Sequence, residues 1–249
     1  MSIIGISGRI GSGKDTVGKI IQYLTANEEV KKITTLEEWL DSDDLNGRDF
    51  NWKIKKFAGK LKQIASLLTG FDVEKFEDQE FKKNLLDVEW GTVQDVPLNS
   101  IPPFADIQFN VMMTVREFLQ KLGTEVMREG LHKNVWVNAL FADYKCSADK
   151  FIRITEENLE EWQEGEYPNW IITDMRFPNE LEAVVKRNGI TIRVVRPSFM
   201  VDGKVIAKDL HPSETALDDA KFDYEIINDG TMEELVKKVR EILMEQKII

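Results

Sequence analysis

The chain has 249 residues, 42% hydrophobic and 31% charged, the balance of a folded protein with a sizeable core rather than a disordered one. A formal net charge of −11 argues against a broad grip on duplex nucleic acid, and one cysteine, Cys146, with two histidines, His132 and His211, excludes a disulfide framework and a Cys- or His-rich metal site. No apolar run approaches the roughly 20 residues of a membrane span and no basic region opens a secretory signal, so a cytoplasmic protein with a small-molecule task is expected.

Ile3-Ile4-Gly5-Ile6 reads as a buried strand leaving the core at Ser7-Gly8, and residues 15–24 carry Val17, Ile20, Ile21 and Leu24 at helical spacing. Residues 28–51 are polar and acidic, with one helical turn expected around 36–40. A second strand is predicted over 52–57 and a helix over 60–68, stopping before Gly70. From about 71 to 110 the pattern degrades into charges, prolines and scattered aromatics, which predicts an inserted lobe of a short helix and loops. Thr114-Val115-Arg116-Glu117 is a capping box opening a helix through about 129, with Val115, Phe118, Leu119, Leu122 and Val126 on its core side. Another helix is predicted over 135–144, and the acidic residues 155–166 belong on the surface.

Trp170-Ile171-Ile172-Thr173-Asp174 is an apolar strand ending in a carboxylate. A helix over 181–187 stops at Asn188-Gly189, strands follow over 190–195 and 224–227, and a capping box at Thr231 and Glu234 opens an amphipathic terminal helix. Strands alternating with helices predict an α/β fold with a central parallel sheet covered on both faces, in a single domain over 1–249.

The chemistry starts between the first strand and helix. Gly8-Arg9-Ile10-Gly11-Ser12-Gly13-Lys14 matches G-x-x-x-x-G-K, a phosphate loop whose backbone N–H groups converge on an anion while Lys14 reaches the β- and γ-phosphates. A glycine turn without a ligand fits the same residues less well, given the flanking strand and helix. Asp15 stands where the motif wants a hydroxyl for Mg²⁺, and Thr16 comes one residue late. Asp174 and Arg176 end a strand at the edge where such sheets bind ligands; a turn cap and a surface arginine are the plainer reading. Arg116, Gln120, Gly123 and Thr124 share one helical stripe that would suit a bound nucleotide, though a solvated stripe has the same spacing. Arg193 and Arg196 lead into a segment, about 197–215, able to close over a transferring phosphoryl group. His211 within it is more often a local hydrogen-bonding residue than a catalyst. Asn228-Asp229-Gly230 follows the last strand at the crevice edge.

Taken in order, these motifs resemble the phage-type deoxynucleoside monophosphate kinases, a branch of the P-loop nucleoside monophosphate kinase fold. The resemblance is carried by Ser12 to Thr16, Phe57-Ala58-x-x-Leu61-Lys62, Arg116-x-x-x-Gln120-x-Leu122-Gly123-Thr124 and Trp136-Val137. It continues through Thr173-Asp174-x-Arg176-Phe177-Pro178-Asn179-Glu180, Val195-Arg196-Pro197, His211-Pro212-Ser213-Glu214 and Asn228-Asp229-Gly230. It implies a three-layer fold with an acceptor-side lobe and a lid, a phage or prophage source, and ATP-dependent phosphorylation of a deoxynucleoside 5′-monophosphate with Mg²⁺. Lys14, Asp174, Arg176 and Arg196 would be catalytic. ATP would meet Gly8, Gly11, Ser12, Gly13, Lys14, Asp15, Thr16 and Asn228, with Asp15 and Thr16 on the metal. The acceptor would meet Lys62, Arg116, Gln120, Gly123 and Thr124. A homodimer is compatible with the sequence, as are a dephospho-coenzyme A kinase or phosphomevalonate kinase relative, a non-kinase P-loop ATPase and a silent binding module.

Overall fold

A computed structural model of the chain describes residues 2–42, 50–95, 108–146, 167–197, 200–201, 204–205 and 212–249. β1 (Ile3–Ser7) is buried along its whole length and runs into a glycine turn, after which α1 (Lys14–Leu24) buries Val17, Ile20, Ile21 and Leu24. Two short helices follow where one turn is expected: α2 (Glu28–Ile33), capped by the Asn27 side chain, and α3 (Leu36–Asp41), opened by a Thr35–Glu38 capping box. No residue of α2 is buried, so it has no apolar period to read and rests on its cap. β2 (Trp52–Lys55) and α4 (Ala58–Thr69) agree with the sequence reading.

After three single turns of 3₁₀ helix, Val73–Phe76, Phe81–Lys83 and Val88–Trp90, β3 (Thr92–Asp95) and β4 (Gln108–Val111) pair antiparallel from Thr92 opposite Val111 to Asp95 opposite Gln108. α5 (Val115–Gln120) starts at the expected Thr114–Glu117 capping box, but the winding changes to a π-helix over Lys121–Leu131 before α6 (Val135–Phe141). The prediction of one α-helix to 129 is therefore corrected. Inside the π segment the Gly123 carbonyl accepts the Trp136 indole N–H at 2.9 Å, a tertiary bond that local periodicity cannot register. With i→i+5 winding the expected core position Val126 turns out to be 52% exposed.

β5 (Asn169–Met175), α7 (Pro178–Val185) and β6 (Ile190–Val195) lead to a small antiparallel pair, β7 (Met200–Val201) with β8 (Lys204–Val205), then α8 (Pro212–Thr215), β9 (Tyr224–Ile227) and α9 (Met232–Glu245). The expected surface stretch 155–166 lies outside the described residues, as do His211 and much of 197–215.

The chain divides into two compact units, Met1–Phe57 with Val137–Ile249, and Ala58–Trp136. The first holds a five-stranded parallel sheet in the order β2-β5-β1-β6-β9. Ile4 and Ile6 face α1 and α9, joining Ile171, Ile192, Val194, Leu235 and Val239 in one cluster. On the opposite face α7 approaches closely. A side chain on Gly5 would begin 3.1 Å from Val184 and 3.2 Å from Met175, so glycine is what admits the helix. The second unit has its own core of Ala65, Phe76, Leu86, Val115 and Phe118. Edge-on rings complete it, Phe71 on Phe81 at 5.2 Å and Trp90 on Phe118 at 5.0 Å between centroids. The scattered aromatics of residues 71–90 thus pack from short 3₁₀ turns and loops against α4 and α5.

Candidate active site

β1 delivers the phosphate loop at its C-terminal end, where a parallel sheet opens its ligand crevice. Gly11 and Gly13 adopt φ of 77° and 96°, a region only glycine enters without strain. At Gly8 a side chain would collide with Ser12 Oγ and with the Val194 carbonyl, the latter at 2.7 Å, so only glycine leaves that space to the Ser12 hydroxyl. Asn228, just past β9, donates its amide to the Ser12 carbonyl at 2.9 Å, and Arg196, just past β6, donates to the Gly11 carbonyl at 3.3 Å. Two strand ends therefore fasten the loop from outside. Lys14 is only 7% exposed, its ammonium 3.5 Å from the Asp15 carboxylate.

Asp15 sits at the first turn of α1. Its Oδ1 accepts the Thr173 hydroxyl at 3.0 Å, with the Lys56 ammonium 3.5 Å away. Burial raises the carboxyl pKa, but Lys56, then Lys14, and the Thr173 hydrogen bond outweigh it and hold the group below its ordinary value of 3.8. The resulting stabilisation is present above that value and lost as the pH falls through the lower folded one, so Asp15 is anionic at neutral pH. Lys56 was not anticipated from sequence, because nothing local links it to a residue 41 positions earlier. Asp174 is 8% exposed and its Oδ1 accepts the Phe57 N–H at 2.7 Å, tying the end of β5 to the chain just past β2.

Glu180 is a second residue the sequence reading did not single out. It is 2% exposed, and its Oε2 accepts the backbone N–H groups of Arg176 at 2.7 Å and Phe177 at 3.1 Å. The carboxylate fixes the backbone from which Arg176 projects. The available signal was a Glu three residues after Phe177, with Pro178 opening the helix.

Arg9, Arg176, Arg193 and Arg196 surround a cavity of about 370 Å³ that Ser7, Gly8 and Ser12 line from the loop side. Arg176 forms an ion pair with Glu214, whose other oxygen accepts the Ile10 N–H at 3.0 Å. Asp218 lies 2.5 Å from Arg9 and 3.1 Å from Arg193, which also donates to the Leu217 and Asp218 carbonyls. Two buried polar atoms at this cavity, Ser12 Oγ and Arg9 Nη1, have no hydrogen-bond partner among the described residues. Such atoms are costly to leave unpaired unless a ligand or water meets them. A cavity with four guanidinium groups beside a glycine loop can neutralise several phosphate oxygens at once. Among the described residues no three His, Cys, Asp or Glu side chains gather as a metal site.

The expected acceptor residues all lie in the second unit. Arg116 and Gln120 are one turn apart on α5, with Arg116 donating to Gln79 at 3.0 Å. Gly123 and Thr124 fall in the π segment, so the α-helical spacing that placed them on the Arg116 stripe does not hold. Gly123 is buried, and a side chain there would begin 2.9 Å from Leu61. Lys62 is 8% exposed and forms an ion pair with Glu77.

Comparison with known proteins follows the same direction. The family described as deoxynucleotide monophosphate kinase matches residues 23–239. The chain is similar to the deoxynucleoside-5′-monophosphate kinase of Escherichia phage T5, at 21% identity over 245 residues, covering 91% of this chain and 89% of that one. It is also similar to the deoxynucleotide monophosphate kinase of Enterobacteria phage T4, at 27% identity over 269 residues, covering 98% and 99%.

Proposed function

The chain belongs to the deoxynucleotide monophosphate kinase family, and we propose that the cavity between the glycine loop and Arg176 is where its phosphoryl transfer takes place. The enzyme is a phosphotransferase that phosphorylates a deoxynucleoside 5′-monophosphate with ATP as donor. The observation that carries the siting is the convergence of Gly8 and Ser12 of the glycine loop with four arginines on one cavity. Phosphoryl transfer has little covalent chemistry for a protein to perform, so catalysis is positioning plus charge stabilisation.

In this reading, the N–H groups of the loop between Gly8 and Thr16, with Ser12 Oγ, hold the donor phosphates. Lys14 neutralises their β- and γ-oxygens. Arg176 and Arg196 meet charge on the moving group, and Asp174 steadies the Phe57 backbone. Asn228 acts through the loop, because its amide is engaged by the Ser12 carbonyl. Arg116 holds the acceptor phosphate, with Gln120 one turn on toward the nucleotide; Lys62 adds a positive charge in the same unit, and Thr124, in the π segment, is given no contact. Gly123 serves packing against Leu61. We place the enzyme in the cytoplasm with its substrates; no helix of the described residues is long and apolar enough to cross a membrane.

The test is coupled turnover with deoxynucleoside monophosphates, ribonucleotides and dephospho-coenzyme A. Turnover of the deoxynucleotides is expected, and turnover of dephospho-coenzyme A alone would sink the reading. In the same assay Arg116→Ala should raise KM for the monophosphate by tenfold or so, about 1.4 kcal/mol, and leave that for ATP little changed. A larger effect on ATP would move Arg116 to the donor side.

The residues present suit Mg²⁺, which prefers hard oxygen donors and binds through one or two carboxylates with substrate phosphates and water completing its shell. Asp15, anionic and at the loop, and Thr16 beside it would hold the ion, which would neutralise donor phosphate charge there. Asp15→Ala is therefore expected to raise the Mg²⁺ concentration for half-maximal rate by tenfold or so, roughly 1.4 kcal/mol, with Asp15→Ser restoring much of it. An unchanged Mg²⁺ dependence, with only a lower melting temperature, would reduce Asp15 to a helix-terminus charge.

A further inference from the structure

Three of the four guanidinium groups at the cavity, those of Arg9, Arg176 and Arg193, already have anions on them. Glu214 is nearly buried, its side chain 8% exposed. One of its oxygens pairs with Arg176 and the other accepts the Ile10 N–H of the phosphate loop. A loop N–H and a guanidinium converging on one anion is the donor pair that a phosphoryl group needs. Asp218 repeats the arrangement four residues on, bridging Arg9 and Arg193. Both carboxylates belong to one stretch that begins in α8, and both reach groups far away in sequence, 204 residues for the Glu214–Ile10 bond and 209 for Asp218–Arg9. The fit is incomplete, because Arg9 Nη1 and Ser12 Oγ remain without partners among the described residues.

We propose that Glu214 and Asp218 form an internal carboxylate plug, which occupies the phosphoryl site of the empty enzyme and must be displaced by the phosphates of the bound nucleotide. This rests on the siting of phosphoryl transfer argued above and adds a control on it. Without the two carboxylates, four arginines would face one another across a cavity and attract any small anion. With them Arg9, Arg176 and Arg193 are paired until a ligand offering several phosphate oxygens takes over the same donors, at a lowered apparent affinity. The penalty follows population-shift arithmetic, since a ligand that binds only the open form has its apparent affinity reduced by the open fraction. Glu214→Gln keeps shape and hydrogen-bonding capacity but removes the charge that competes for Arg176.

The experiment is calorimetric titration of the full chain with inorganic tripolyphosphate, which requires no turnover and no nucleoside. Glu214→Gln is expected to bind it about tenfold more tightly than wild type, the factor for a plug in place about nine-tenths of the time. In an Arg176→Ala background the same substitution should give no gain, because the competed group is absent. A folded Glu214→Gln with unchanged or weaker affinity overturns the proposal and makes Glu214 a scaffold or catalytic group. If wild type binds no tripolyphosphate, the siting itself fails and the plug falls with it; binding in wild type without a gain in the variant removes the plug alone. Should Glu214→Gln not fold, Asp218→Asn carries the same expectation through Arg9 and Arg193.

Discussion

Lys14→Ala is expected to yield a folded protein whose kcat has fallen on the order of 10²- to 10³-fold. The lysine sits in the loop itself, 7% exposed, with the Asp15 carboxylate 3.5 Å away as an ion-pair partner. A preorganised charge aimed at the β- and γ-oxygens interacts most strongly where negative charge builds in the transition state, so the loss belongs mainly in kcat and less in KM. Steady-state kinetics with ATP and one deoxynucleoside monophosphate, beside a thermal melt, reads both. Near wild-type kcat in a folded variant would end the assignment of the loop to the donor phosphates.

Arg176→Ala is expected to cost about 10³-fold or more in kcat, the range for an arginine stabilising a phosphoryl transition state. Its backbone N–H is held by buried Glu180 and its side chain borders the loop cavity, so the guanidinium is delivered from a fixed point. Arg176→Lys should not rescue, because an ammonium cannot make the forked contact. The expected pattern is a collapse in kcat with ATP affinity retained or improved, since Glu214 loses its partner and its hold on the site. If KM for ATP rises steeply while kcat survives, Arg176 serves ground-state binding only.

Much of the first unit was legible because its signals are local. An apolar run, a glycine turn and residues at helical spacing lie within the first 24 positions, and they specify β1, the loop and α1 wherever the rest of the chain goes. Capping boxes at Thr114 and Thr231 mark the starts of α5 and α9 because donor and acceptor are three residues apart. α2 escaped notice since none of its residues is buried, leaving only cap chemistry to define it. The second unit hides for the opposite reason. Phe71, Phe76, Phe81 and Trp90 are plainly apolar, but they come from 3₁₀ turns and loops, where no period links one to the next. The change to π winding after Gln120 is equally silent; the Trp136 indole that bonds to Gly123 within it comes from 13 residues on.

The sequence by itself determined the parallel α/β class, the glycine turn between β1 and α1 and, through the order of its motifs, the kinase family. What only the tertiary structure decided is which charges meet. Thr173 and Lys56 reach Asp15, Glu180 reaches the Arg176 backbone, and Glu214 and Asp218 take the guanidinium groups at the loop. Most of these pairs are joined across dozens to hundreds of residues, and an ion pair has no periodicity to announce it. It forms where folding brings two opposite charges out of water together, and that place is set by the packing of the sheet and its helices rather than by either residue's neighbours in the chain.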